Sequence, residues 1–128
     1  MEDTGQFVQV GYKGTARAGD YGTAKAGHYG TAIAGNDGTA IAGNHGTAIV
    51  GYFGTAIAGG NGTAIADYEG IAQTGYAGTA SAGRDGKIMI DYYDYEKDRT
   101  RTLIGYVGED GIEPNTPYII QDGKLVKK

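Results

Sequence analysis

An all-β fold is predicted for this chain, a flattened β-solenoid (β-helix) with about 16 residues per coil, a thin alanine-lined core and a small β-rich C-terminal cap. Three observations lead there. An octapeptide, Gly-Thr-Ala-x-Ala-Gly-x-x, begins at Gly14 and returns at Gly22, Gly30, Gly38, Gly46, Gly54, Gly62, Gly70 and Gly78. A unit this short cannot bury a hydrophobic face alone, so it must stack on its own copies. Finally, its third and fifth positions are almost always Ala, while the second and fourth carry Thr and a variable residue that is often Ile.

The period extends to Gln6–Lys13 before the obvious copies and to Gly86–Tyr93 after them, so eleven octads cover residues 6 to 93. Side chains alternate faces along a strand, which puts the Ala pair on one side and the Thr/variable pair on the other. Arg17 and Lys25 occupy the variable position. A charge inside a thin core is costly, so the alanines face inward and the Thr/Ile set outward. Two methyl groups per strand fill only a narrow space, which favours two octads per coil with one strand on each of two sheets. Three octads per coil would enclose a triangular interior that alanine cannot fill at native density. The Gly-x-x-Gly segments turn the corners, where positive φ is needed. Eleven octads then make about five and a half coils. At about 4.7 Å per coil they span roughly 26 Å.

The ends differ from the middle. Val8 and Val10 replace the inward alanines in the first octad, and Ile88 and Ile90 in the last. Larger residues at both ends are expected where strand edges must be covered. The chain divides into an octapeptide-repeat solenoid, residues 1–93, and a hairpin-rich cap, residues 94–128. In the second part, strands are expected over Lys87–Tyr93, Arg101–Val107 and Tyr118–Ile120, with turns near 95–98, 109–111 and 121–123. Pro114 and Pro117 lie in a connection, where neither must supply a ladder hydrogen bond.

Composition narrows the function classes. The 128 residues suit one domain with a net charge of −4, and the absence of cysteine removes disulfides and thiolate metal sites. The acidic start Met1-Glu2-Asp3-Thr4 has no apolar leader, and no segment approaches the roughly 20 apolar residues of a membrane span. A cytoplasmic protein without membrane attachment is expected. Between Gly14 and Asp85 the only basic residues are Arg17, Lys25 and Arg84, so nucleic-acid binding lacks its electrostatic drive. The acidic residues of that segment, Asp20, Asp37, Asp67, Glu69 and Asp85, are too sparse for a DNA mimic.

The sequence holds no evident catalytic constellation. His28 and His45 fall at one corner of neighbouring coils and would meet Asp37 only if the chain bent around, so they read as surface histidines. Asp91, Asp94, Glu96 and Asp98 alternate with Lys97, Arg99 and Arg101, the pattern of a solvated hairpin. No glycine precedes a helix with Lys-Ser/Thr, so a phosphate loop is not expected. The chain reads as a non-enzyme with no metal or cofactor.

Binding is the remaining class. Thr31, Ile33, Thr39, Ile41, Thr47, Ile49, Thr55, Ile57, Thr63 and Ile65 form the candidate interface, with Ile33, Ile49 and Ile65 in a column on one face and Ile41 and Ile57 on the other. Exposed apolar columns mark interfaces, although β-branched residues also favour strands for their own sake. Aromatics crowd the last two positions of the octads. Tyr21, Tyr29, Tyr52, Phe53, Tyr68 and Tyr76 are the candidate corner recognition residues, joined at equivalent positions by Tyr12, Tyr92 and Tyr93. Such rings can equally shield the glycine turns.

The repeat from Gly14 to Asp85 resembles the octapeptide-repeat proteins of bacterial and bacteriophage genomes, and Ile104–Tyr118 with Asp122–Val126 resembles the endings of such proteins. That resemblance implies a phage-type intracellular factor that binds or inhibits a host component, with a host protein as the expected partner, while the outward Thr/Ile faces lead to the expectation of a homo-oligomer. A structural part of a phage tail or fibre is an alternative. The repeat is also similar to ice-nucleation and ice-binding solenoids, whose outward Thr-x-Thr rows order water. Here the rows read Thr-Ala-Ile, and Arg17 and Lys25 interrupt them.

Overall fold

The computed structural model describes residues 5–128, so the acidic N-terminal tetrapeptide lies outside the described residues. In each repeat the β-branched Thr and Ile flank an alanine, and the triplet forms a short strand. These strands are β1 (Phe7–Gln9), β2 (Thr15–Arg17), β3 (Thr23–Lys25), β4 (Thr31–Ile33) and β5 (Thr39–Ile41). They continue as β6 (Thr47–Ile49), β7 (Thr55–Ala58), β8 (Thr63–Ile65), β9 (Ile71–Thr74) and β10 (Thr79–Ser81). Odd strands stack in parallel as sheet A and even strands as sheet B. Every residue pairs with its equivalent two octads away, as in Thr31↔Thr47, Ala32↔Ala48 and Ile33↔Ile49. The chain is a β-solenoid of about five turns with roughly 16 residues per turn.

The alternation works as the charges require. Ala16, Ala24, Ala32, Ala40, Ala48, Ala56, Ala64, Ala72 and Ala80 are fully buried, and the Thr and Ile beside them stand on the outer faces. Val50 and Thr74 take the place of inward alanines, and Ile88 and Ile90 enlarge the buried core at its C-terminal end.

The corners close differently from expectation. Positive φ falls on the residue before each repeat glycine: Lys13, Tyr21, Tyr29, Asp37, His45, Phe53, Asn61, Glu69, Ala77 and Asp85. With Gly22 N–H donating to Gly19 O at 3.0 Å and Tyr21 at φ 61°, the corner has the form of a type II turn. The repeat glycines serve close approach instead. A Cβ on Gly38 would lie 2.8 Å from Ala34 Cβ and 3.0 Å from the carbonyl oxygen of Gly22 in the previous coil. At Gly51 the Cβ would run into the Asn36 carboxamide.

A side-chain ladder accounts for that second crowding. At these corners the seventh residue of an octad accepts the N–H of its equivalent one coil later. Asp20 accepts from Asn36 at 2.9 Å, Asn36 from Tyr52 at 2.9 Å, His28 Nδ1 from Asn44 at 3.0 Å and Asn44 from Gly60 at 2.9 Å. Tyr52 has no acceptor within reach of the next coil's amide. Asp67 supplies one instead, its carboxylate accepting the Tyr68 N–H at 2.8 Å.

The last octad does not turn. β11 (Lys87–Asp94) pairs with β9 in parallel and, as the expected strand Lys87–Tyr93 requires, runs straight past Tyr92 and Tyr93, although both hold the octad positions that form the corner in earlier coils. Asp94 stands where each preceding octad gives way to glycine, and a side chain there has no room in the turn. The chain reverses instead into β12 (Arg99–Tyr106), antiparallel to β11. β13 (Tyr118–Gln121) then joins sheet B antiparallel to β10 through Ala80↔Tyr118 and leads to β14 (Lys124–Lys127). β14 is absent from the expected strands. Asp122 and Gly123, at φ 53° and 75°, form the two-residue hairpin turn that creates it. Val107, Ile112 and Tyr118 join the core, and Leu125 and Ile112 pack over Gly105, where a Cβ would meet both.

Candidate binding surfaces

The parallel register sorts the ten interface candidates onto two opposite faces. Sheet B carries Thr31, Thr47 and Thr63 in one column and Ile33, Ile49 and Ile65 in the next. Sheet A carries Thr39 and Thr55 beside Ile41 and Ile57. The two faces end differently. On sheet B, Thr79 and Ser81 are buried, and Asn115, Pro117 and Lys128 lie beside them and Ile65. Asn115 N–H donates to Ala82 O at 2.7 Å, and Lys127 pairs with Glu113 at 3.0 Å, holding the C-terminal segment there. That Glu113 carboxylate raises the pKa of Lys127.

Sheet A stays open and continues into the final hairpin. Met89 pairs with Gln73 on one side and Ile104 on the other, and Lys87 pairs with Ile71 and Tyr106. Cross-strand partners share a face. The outer face of sheet A thus adds Ile71, Met89, Ile104 and Tyr106 to the predicted four, with Ile104 46% and Tyr106 50% exposed. Ile71 and Met89 hold the outward second and fourth positions of their octads, whereas Ile104 and Tyr106 lie outside the repeat. The signal for Ile104 and Tyr106 was the alternation Leu103-Ile104-Gly105-Tyr106, in which they take the side opposite the Gly105 that lies under Leu125.

The corner candidates separate onto the two edges of the coil. Tyr29 and Tyr76 lie on one edge, and Tyr21, Tyr52, Phe53 and Tyr68 on the other. On the first edge Tyr29 stacks on His45 with centroids 4.8 Å apart and meets the edge of Tyr12 at 5.9 Å. On the second, Tyr68 meets Tyr52 at 6.0 Å and Phe53 at 5.6 Å, both edge-on. Glu69 beside it raises the pKa of the Tyr68 phenol. Asn61 and Ala77 interrupt the first edge and Asp37 the second, so the rings make short stacks rather than one strip. Both histidines are engaged, His28 as an acceptor and His45 in the stack, while Asp37 lies on the opposite edge.

No family model, curated protein or solved structure matches the chain. Its surfaces are read from their own chemistry. Among the described residues no three His, Cys, Asp or Glu side chains converge as metal ligands. Among the described residues no helix is long and apolar enough to cross a membrane.

Proposed function

We propose that this chain is a non-enzymatic binding scaffold whose outer face on sheet A packs against another protein, in the first instance a second copy of itself. The observation that carries the reading is the apolar patch on sheet A made by Ile41, Ile57, Ile71, Met89, Ile104 and Tyr106, broken only by Gln73 between Ile57 and Met89 and by Lys87 between Ile71 and Tyr106. A sheet face carrying half-buried Ile and Met side chains beside the exposed Ile104 and Tyr106 suits an interface, and a two-fold pairing would bury the same patch on both copies. The resemblance to phage octapeptide-repeat proteins supports a host protein as the partner met in turn by that face. Light scattering tests the reading: the wild type is expected at twice the chain mass and Ile57→Lys at the chain mass. A wild type at the chain mass throughout would remove self-association.

One observation favours a second reading. Thr15, Thr31, Thr47 and Thr63 form an in-register column on sheet B, spaced at about 4.8 Å like the strands that carry them. A regular hydroxyl and methyl array suits ordered water, as on an ice surface. On that reading Thr47→Lys abolishes ice shaping and leaves the mass unchanged.

A further inference from the structure

We propose that a cleft at the unfinished last turn of the solenoid binds a small organic cation of the quaternary-ammonium type. The cleft exists because β11 runs straight where earlier coils turn. Lys13, Tyr29, His45 and Asn61 each donate their N–H to the carbonyl one coil later on the same edge. Ala77 is the next in that series, and the residue that would stand above it, Tyr92, lies in a strand. A space of about 620 Å³ opens there, between the Tyr76-Ala77 corner, the β11–β12 hairpin and the β13–β14 turn. That volume lies within the ordinary range for small-molecule sites.

Its lining combines two features that favour the same ligand. Four tyrosines line the space, Tyr76, Tyr92, Tyr93 and Tyr95, with Tyr92 and Tyr93, neighbours on β11, presenting opposite faces of that strand. Tyr95 meets Tyr93 edge to face at 4.8 Å, and the Tyr93 hydroxyl donates to Asp98, which fixes that ring. Carboxylates come from Asp91, Asp94, Glu96 and Asp122, while no Lys or Arg lines the cleft. Two of the four are partly committed. Asp94 accepts the N–H of Glu96 and Lys97 and lies 3.8 Å from Arg101, and Asp91 accepts the Thr102 hydroxyl at 2.6 Å. Glu96 and Asp122 make no ion pair among the described residues.

Among the described residues the lining carboxylates do not converge in a group of three that could hold a metal ion. A compact inorganic ion would gain nothing from the rings. A methylated ammonium spreads its charge over an apolar surface, which suits ring faces within about 6 Å and carboxylates at the rim.

The test is a titration of the full chain with choline, followed by tyrosine ring proton shifts in NMR, beside 3,3-dimethyl-1-butanol as its uncharged isostere. Saturable shifts at Tyr76, Tyr92, Tyr93 and Tyr95 are expected with choline and none with the isostere. Tyr95→Leu should weaken choline about five-fold, the loss of one exposed cation–π contact. Asp122→Asn, which keeps a residue tolerant of positive φ in the turn, should also weaken it while leaving the fold's spectrum unchanged. Shifts that rise linearly without saturating, an equal response to the isostere, or unchanged affinity in both variants would overturn the proposal.

Discussion

Replacing Gly38 by Ala tests why glycine recurs every eight residues. Gly38 does not have positive φ, so the backbone itself accepts alanine. Left to conformational entropy, the substitution would stabilise by about 0.4–1 kcal/mol. Space decides otherwise. The new Cβ would stand 2.8 Å from Ala34 Cβ and 3.0 Å from the carbonyl oxygens of Gly22 and Gly35, against a comfortable separation of about 3.5–4.0 Å between carbons. Two of those neighbours are backbone atoms, one in the adjacent coil, so relief requires the ladder to shift. Overpacking of this kind costs about 1–3 kcal/mol, and a net loss of about 2 kcal/mol is expected. For a chain of this size that lowers Tm by about 8 °C in a melt followed by circular dichroism. Gly60→Ala is the matched control. Its nearest neighbour would be Tyr76 O at 3.5 Å and its φ is also not positive, so the entropic term prevails and Tm rises by a few degrees. Equal signs for the two variants would refute the close-approach account of the repeat.

Further outcomes follow from the ladder, the final hairpin and the C-terminal core. Asn36→Ala removes the acceptor of the Tyr52 N–H and should cost about 1 kcal/mol in denaturant unfolding, whereas Asn36→Asp, which reproduces the Asp20 arrangement, should be nearly neutral. The hydrogen bond to Asp98 raises the pKa of the Tyr93 phenol, so Asp98→Asn should let one tyrosine ionise at lower pH in an ultraviolet titration. The bond favours the protonated phenol. Its contribution to stability is therefore full below the ordinary tyrosine pKa and lost as pH rises through the elevated folded value. Leu125→Ala uncovers Gly105 and should destabilise by about 2 kcal/mol, with earlier hydrogen exchange in β12 than in β5.

The solenoid was legible because the repeat states each constraint many times. Arg17 and Lys25 alone sufficed to orient every strand, since a charge cannot enter a core that alanine fills. The corners were harder to read, because glycine in a turn admits two explanations, positive φ and close approach. Backbone geometry separates them, and here the left-handed position falls on Tyr21, Phe53 and their equivalents. The strand through Tyr92 and Tyr93 was read from the run Lys87–Tyr93, whereas the second signal, Asp94 in place of glycine, has a meaning only once the glycine's role in close approach is known. β14 was signalled by Asp122-Gly123 and needed the strand after that turn to be recognised as well. The extension of the sheet A face needed β12 to be placed against β11, a pairing outside the octad period.

The most direct test of the proposed binding face is the solution mass of three proteins across a range of concentrations: the wild type, Ile57→Lys on sheet A and Ile49→Lys on sheet B. A wild type and an Ile49→Lys variant at twice the chain mass, with Ile57→Lys at the chain mass, is the predicted result. A wild type that stays at the chain mass, or an Ile57→Lys variant that still pairs, would contradict it.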